Sequence, residues 1–180
     1  NEVGEIIYQL GNETGKARAT RDGSARPRRT WRVPYLSSGE IPVAAKMGER
    51  GNVVHAGQDV RLANIPADAG AGMGLFQQLH GTMNAAALAT HLRDATRRRA
   101  YGTAARAFLA RLTADRETSD VELIARIERW RRKFLEKLLP VNADGQVISV
   151  ARRFGLIAAA GHLATQYAVL PWPEGEAFRA

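Results

Sequence analysis

The chain has 180 residues, 45% of them hydrophobic, a net charge of +8 at pH 7 and no cysteine. That length suits one domain with a core, or a domain with a helical appendage, and the charge suits a polyanionic partner, nucleic acid first. The lack of cysteine excludes disulfides and thiolate metal sites and is compatible with a cytoplasmic setting, and no apolar run approaches the roughly 20 residues that span a bilayer, so no membrane partner is expected.

EVGEIIYQL (2–10) spaces Val3, Ile6, Ile7 and Leu10 for one face of a short helix, and Gly11 reads as its stop. This acidic, amphipathic opening does not read as a signal peptide. GNETGKA, which follows, raises the question of a phosphate-binding loop. A P-loop needs four residues between its glycines and a Ser or Thr after its Lys, between a strand and a helix. Here three residues separate Gly11 from Gly15, and Ala17 stands at the hydroxyl position. GNETGKA is therefore not expected to be a P-loop, and residues 11–29 read as a Gly-, Ser- and Arg-rich loop or hairpin.

In TWRVPYLS (30–37), Trp31, Val33 and Tyr35 alternate as in a strand, with Pro34 better suited to an edge or bulge than to a central position. SSGEIPVAAKM (37–47) resembles a capped entry to a short helix. DVRLANIPAD (59–68) is a second strand candidate, and DAGAGMG (68–74), with three glycines, reads as flexible. Beyond residue 80 the pattern turns helical. Asn84 can cap 85–99, Thr103 can start 104–115, and Ser119 with Glu122 forms a capping box for 120–139, stopped by Pro140. Ile124, Ile127, Phe134 and Leu138 are the expected core stripe of that helix. A last helix, 146–168, would pack through Val147, Val150, Phe154, Ile157 and Gly161. The expected fold is α+β and predominantly helical: a small α/β part (1–80) followed by a helical bundle (81–180).

Seven basic residues lie between Lys16 and Arg32 (Lys16, Arg18, Arg21, Arg26, Arg28, Arg29 and Arg32) against one acid, Asp22. Six are arginines, whose planar fork grips phosphate at two points. The cluster reads as a nucleic-acid contact; a solvated basic loop without a partner is the alternative. Arg97, Arg98 and Arg99 are accounted for by cations at a helix C-terminus. Arg129 to Lys133 surround Trp130, which could stack on a base but is expected to pack at the bundle edge. Ser37 and Ser38 lack the G-x-S-x-G elbow of a nucleophilic serine. The four histidines, His55, His80, His91 and His162, show no metal-ligand spacing, and the acids are scattered. No resident cofactor, no metal site and no self-contained hydrolase is expected.

GKARATRDGSAR (15–26), WRVPYLSSGE (31–40) and GQDVRLANIPADAGAGMGLFQQLHG (57–81) together resemble the C-terminal half of the "domain of unknown function 927" family, helicase-like P-loop ATPases of bacterial mobile elements and plasmids. The resemblance continues through AYGTAARAFLARL, GQVISVARRFGLIAAAGHLAT and WPEGEA. It implies the C-terminal part of a RecA/AAA+-like ATPase sheet, then a helical lid or oligomerisation element. The P-loop Lys, the Mg²⁺-binding hydroxyl and the acidic strand would lie upstream. The sequence, opening in a helix and stopping at PEGEAFRA, is accordingly expected to be a piece of a longer protein, inactive alone, whose full-length form binds ATP and Mg²⁺ and is a homo-oligomer. Within that frame the basic loop contacts nucleic acid, single-stranded DNA first. Ser37 or Ser38 senses the γ-phosphate or attacking water, and Arg61 is a trans-acting arginine finger, an outward residue of an alternating strand being the alternative. A nucleic-acid-binding or scaffold module without ATPase linkage is the competing reading of the whole.

Overall fold

A computed structural model of the chain describes residues 2–48, 62–98 and 101–179. Two compact units divide it, Asn1–Ile65 and Pro66–Ala180.

In the first unit, helix α1 (Glu2–Gly11) leads into an arm formed by residues 13–31, and a short helix α2 (Val43–Gly48) follows later. Trp31 anchors the base of the arm: its backbone N–H donates to Glu13 O at 2.9 Å and its indole Nε1 to Leu10 O at 3.4 Å.

The expected strand at 30–37 does not form. Val33 and Tyr35 are exposed and Leu36 is 95% exposed, so the alternation has no buried side, and Pro34 offers no N–H to a ladder. Of the second candidate, 59–61 lie outside the described residues, and 62–68 form no strand. Among the described residues there is no sheet, only two isolated antiparallel bridges, Thr14 with Thr30 and Ala19 with Ala25. The α+β expectation, with its RecA/AAA+-like ATPase sheet, is thereby overturned. A ladder needs a second strand to take up its N–H and C=O groups, and these segments have none among the described residues.

The second unit is helical. Residues 68–74, expected to be flexible, fold as a tight loop. Gly70, Gly72 and Gly74 all take left-handed φ, Gly70 N donates to Asp68 Oδ1 at 2.8 Å, and Ala69 N to Gly74 O at 2.8 Å. Helix α3 (Ala85–Arg97) starts where Asn84 Oδ1 accepts from Ala87 N at 2.9 Å. Helix α4 spans Thr103–Thr118. Helix α5 (Asp120–Leu138) starts at Ser119, whose Oγ accepts from Glu122 N at 3.2 Å, and Asp144 caps α6 (Gly145–Gln166) through Gln146 N at 2.7 Å. Each cap satisfies one of the N–H groups that a helix start leaves unpaired.

α5 and α6 make the principal packing. Their seam is offset from the expected stripes. Leu123 is buried and Ile127, Trp130 and Phe134 are half-buried, whereas Ile124 and Leu138 are more than 50% exposed. On α6 the buried residues are Gly155, Ala158, Ala159, His162, Leu163 and Ala164, while Val147 and Ile157 face out. Small residues let the helices approach: a Cβ at Gly155 would lie 3.3 Å from Phe134 Cδ1. By length and composition α6 could cross a membrane, but it carries Arg152 and Arg153, and its buried residues form most of this unit's core.

A one-turn 3₁₀ helix, Glu176–Phe178, packs on α6 at its far end. Phe178 meets Trp130 and Phe134 edge-on, with centroids 5.7 and 6.0 Å away, and His162 lies 3.4 Å from Trp130. Three helices are also tied by one polar cluster. Tyr167 Oη donates to Asp115 Oδ2 at 2.6 Å, and Arg126 Nη2 donates both to that oxygen and, at 3.1 Å, to Tyr167 Oη. Burial and the Asp115 bond push the Tyr167 phenol up to about 12, and the bonds from Tyr167 and Arg126 hold the Asp115 carboxyl below its ordinary value.

A Cβ at Gly161 would stand 2.9 Å from Ala177 Cβ, closer than carbon atoms tolerate. Gly161→Val should cost about 1–3 kcal/mol by overpacking, more than Gly155→Ala, as measured by urea denaturation. Burial holds the His162 imidazole below its usual value, partly offset by Glu174 and reinforced by Lys133. The unfolded chain thus binds the proton first. The stability from neutral His162 is complete above about pH 6.5 and is lost as pH falls through the lower folded-state value. Urea midpoints at pH 7.5 and pH 5 should differ less in His162→Phe than in the parent.

Candidate nucleic-acid interface

The arm is a hairpin in a single register. Trp31 N to Glu13 O, Gly15 N to Arg29 O and Arg26 N to Arg18 O each span 2.9 Å, and Thr20 N to Ser24 O spans 2.8 Å. Every bonded pair, like both bridges, joins residues whose numbers sum to 44. The pairing skips a beat between 15/29 and 18/26. Pro27, opposite Ala17, has no N–H to give, so the ladder breaks there and resumes one residue further on.

The tip is a three-residue loop. Gly23 N donates to Thr20 O at 3.1 Å, and Gly23 takes a left-handed φ of +84° that other residues adopt at a cost. Asp22 Oδ1 collects three donors: Thr20 Oγ1, Ser24 Oγ at 2.9 Å and Ser24 N at 3.2 Å. Those bonds, Thr20's foremost, pull its carboxyl down to about 2. Thr20 and Ser24 are thus the organisers of the tip. The Asp-Gly pair at 22–23 is the signal that gives the turn away in the sequence.

The register sets Arg18 directly opposite Arg26, and Lys16 and Arg28 stand on the two strands across the break at Pro27. All seven basic side chains are exposed. Arg32 reaches Glu13 at 3.8 Å, but Arg18, Arg21, Arg26, Arg28 and Arg29 meet no carboxylate among the described residues. Like charges facing each other across strands destabilise a hairpin, by up to about 1 kcal/mol per pair, unless an anion lies between or beside them.

The other basic groups are placed differently. Arg97 pairs with Asp94 at 3.7 Å, Arg132 with Glu136 at 3.8 Å, and Arg131 with Glu128. Lys133 Nζ sits 4.5 Å from the centroid of the Trp130 ring, which His162 and Phe178 also cover, so that ring is not open to a base. Ser37 and Ser38 are exposed in an irregular segment, and no histidine or carboxylate among the described residues bonds to either. Arg61, His55 and Arg99 lie outside the described residues. Among the described residues singled out in the sequence, the basic set of 16–32 is gathered on one exposed hairpin, while Trp130, Lys133 and His162 pack against one another in the bundle. Among the described residues no group of three His, Asp or Glu side chains could hold a metal.

A helix closed onto an arginine-bearing hairpin therefore defines the site. The family described as "Domain of unknown function (DUF927)" matches residues 1–30, which are α1 and the hairpin up to the Thr14–Thr30 bridge. The stretches after residue 30 on which the wider resemblance rests lie outside that match. No curated protein and no solved structure matches the chain.

The hydroxyls around Asp22 supply a direct test of the tip. A carboxyl-carbon NMR titration should place Asp22 near 2, and Thr20→Ala with Ser24→Ala should raise it toward the usual 3.9. Because the folded value is the lower one, Asp22 supports the hairpin fully above about pH 4, and that support is lost as pH falls through about 2.

Proposed function

We propose that this chain is a nucleic-acid-contacting module whose hairpin, residues 13–31, grips the phosphate backbone. The observation that carries the reading is the cross-strand meeting of Arg18 with Arg26, exposed and meeting no carboxylate among the described residues, in a chain of net charge +8. A phosphate beside that pair converts repulsion into two charge-assisted, bidentate contacts. The helix-borne arginines that are ion-paired to their own helices offer much less.

From the wider resemblance set out in the sequence analysis, we further propose that such a module belongs to a helicase-like, DNA-dependent ATPase of a mobile element, working in the cytoplasm as a homo-oligomer with ATP and Mg²⁺ held by another part of the protein; the match over residues 1–30 is to a family of unknown function. The sheet that would have carried Ser37, Ser38 and Arg61 is not found among the described residues. The module reading stands on the hairpin and needs no ATPase site.

Replacing Arg18, Arg26 and Arg28 by Gln should weaken DNA binding and flatten its salt dependence. Each lost phosphate contact removes roughly 0.7 from the log–log slope on a single strand and about 0.9 on a duplex. Far-UV circular dichroism should stay unchanged, since these side chains are exposed. Arg97→Gln with Arg98→Gln serves as the control and should leave the slope nearly intact. Fluorescence anisotropy over a salt series measures both; a slope that drops in the control and not in the hairpin variant removes the reading.

A further inference from the structure

The distribution of charge along the hairpin narrows the partner. Its flanks carry basic groups on both strands, Arg18 facing Arg26, with Lys16 on one strand and Arg28 on the other. Its tip differs, pairing a cation, Arg21, with a fixed anion, Asp22. The three bonds to Asp22 all fall on Oδ1, leaving Oδ2 as an acceptor at the end of the arm. A tip with a permanent carboxylate is repelled by a phosphate backbone, whereas the flanks are attracted to one. The surface that suits both has phosphates along two rims and hydrogen-bonding donors and acceptors on the floor between them.

The major groove of B-form DNA has that layout. It is about 12 Å wide and about 8.5 Å deep and admits a two-stranded ribbon, with base edges on its floor. Five residues from the 15/29 pair to the 20/24 pair, at roughly 3.3 Å each, give an arm of about 17 Å, long enough to reach that floor. Single-strand binding without sequence preference relies on aromatic side chains stacking on bases, and residues 12–30 contain no aromatic residue. The nearest, Trp31, is half-buried at the base of the arm with its Nε1 bonded to Leu10 O.

We infer that the hairpin enters the major groove of duplex DNA as a ribbon, its flanking arginines on the two phosphate rims and its Arg21–Asp22 tip at the base edges. This rests on the nucleic-acid reading above and replaces single-stranded DNA with duplex DNA as the preferred partner. At the tip Arg21 matches the acceptors of guanine, and Asp22 Oδ2 matches the amino group of cytosine. The Asp22 anchor, stabilised by Thr20 and Ser24, would give the arm base preference as well as affinity.

The test uses the whole 180-residue chain and three fluorescent probes of one mixed sequence: a 20-base-pair DNA duplex, its single strand, and the corresponding RNA duplex, whose major groove is too narrow and deep for side chains to read. The DNA duplex should bind at least tenfold tighter than either alternative at the same salt, and the chain should protect guanine N7 from dimethyl sulfate. Asp22→Asn should leave the salt slope within about 0.3 of the parent while altering which guanines are protected; Arg18→Gln with Arg26→Gln should lower the slope by about 1.8. Circular dichroism identical to the parent certifies each variant. Salt-dependent binding that is equal or tighter on the single strand or the RNA duplex overturns the groove inference and leaves the nucleic-acid reading standing. Duplex binding without N7 protection likewise overturns the inference. No binding to any probe removes both.

Discussion

Backbone pairing in one register holds residues 13–31 together while that register brings arginine up against arginine. The two effects are opposed, and the pairing prevails because it is anchored at both ends. At the base Trp31 is bonded through its main chain and its indole; at the tip Thr20, Asp22 and Ser24 form a closed hydrogen-bonded knot. Between them the ladder is thin and broken at Pro27. The arm is thus pre-formed by its backbone pairing, the Trp31 indole and the Asp22 carboxylate, and its flanking arginines are left for something outside it.

The helical unit depends on a different economy. Its core contains few large side chains: among the described residues only Leu163 is both large and fully enclosed. Cohesion comes from the close approach that Gly155, Ala158 and Ala159 allow, and from the polar tie of Asp115, Arg126 and Tyr167. Arg126 commits Nη2 to both partners while its buried Nε bonds to none. A cluster so arranged fixes the mutual setting of three helices more than it adds to net stability, because much of what it gains is offset by desolvation.

Local signals were legible in the sequence and distant ones were not. Asn84 and Ser119 announced their helices because a cap acts within three residues, whereas the Asp22-Gly23 turn signal, equally local, was not drawn from a stretch read only as a loop or hairpin. Trp31, Val33 and Tyr35 alternate like a strand, but alternation states only which residues could share a face; whether a ladder forms depends on a partner elsewhere. Half of the stripe on α5, Ile127 and Phe134, lies in the seam, while Ile124 and Leu138 were misplaced because the apolar residues cover more than one side and the small residues of α6 decide which side is buried. Tyr167 lies 52 residues from Asp115, beyond the reach of any periodicity. The basic set was visible as composition, while its meaning depended on pairing that composition does not contain.

A lone two-stranded ribbon leaves both outer rows of N–H and C=O groups open, the condition under which chains stack edge to edge into larger sheets. Here mutual repulsion of the arginine-lined rims stands guard over those rows. The guard is electrostatic, and so conditional. Concentrated salt, or a polyanion too short to occupy the whole arm, would screen it and leave the rims free to associate. The arm's colloidal behaviour is therefore tied to the ionic composition around it, and a chain well dispersed in dilute buffer has its point of weakness in the feature that gives it a surface to offer.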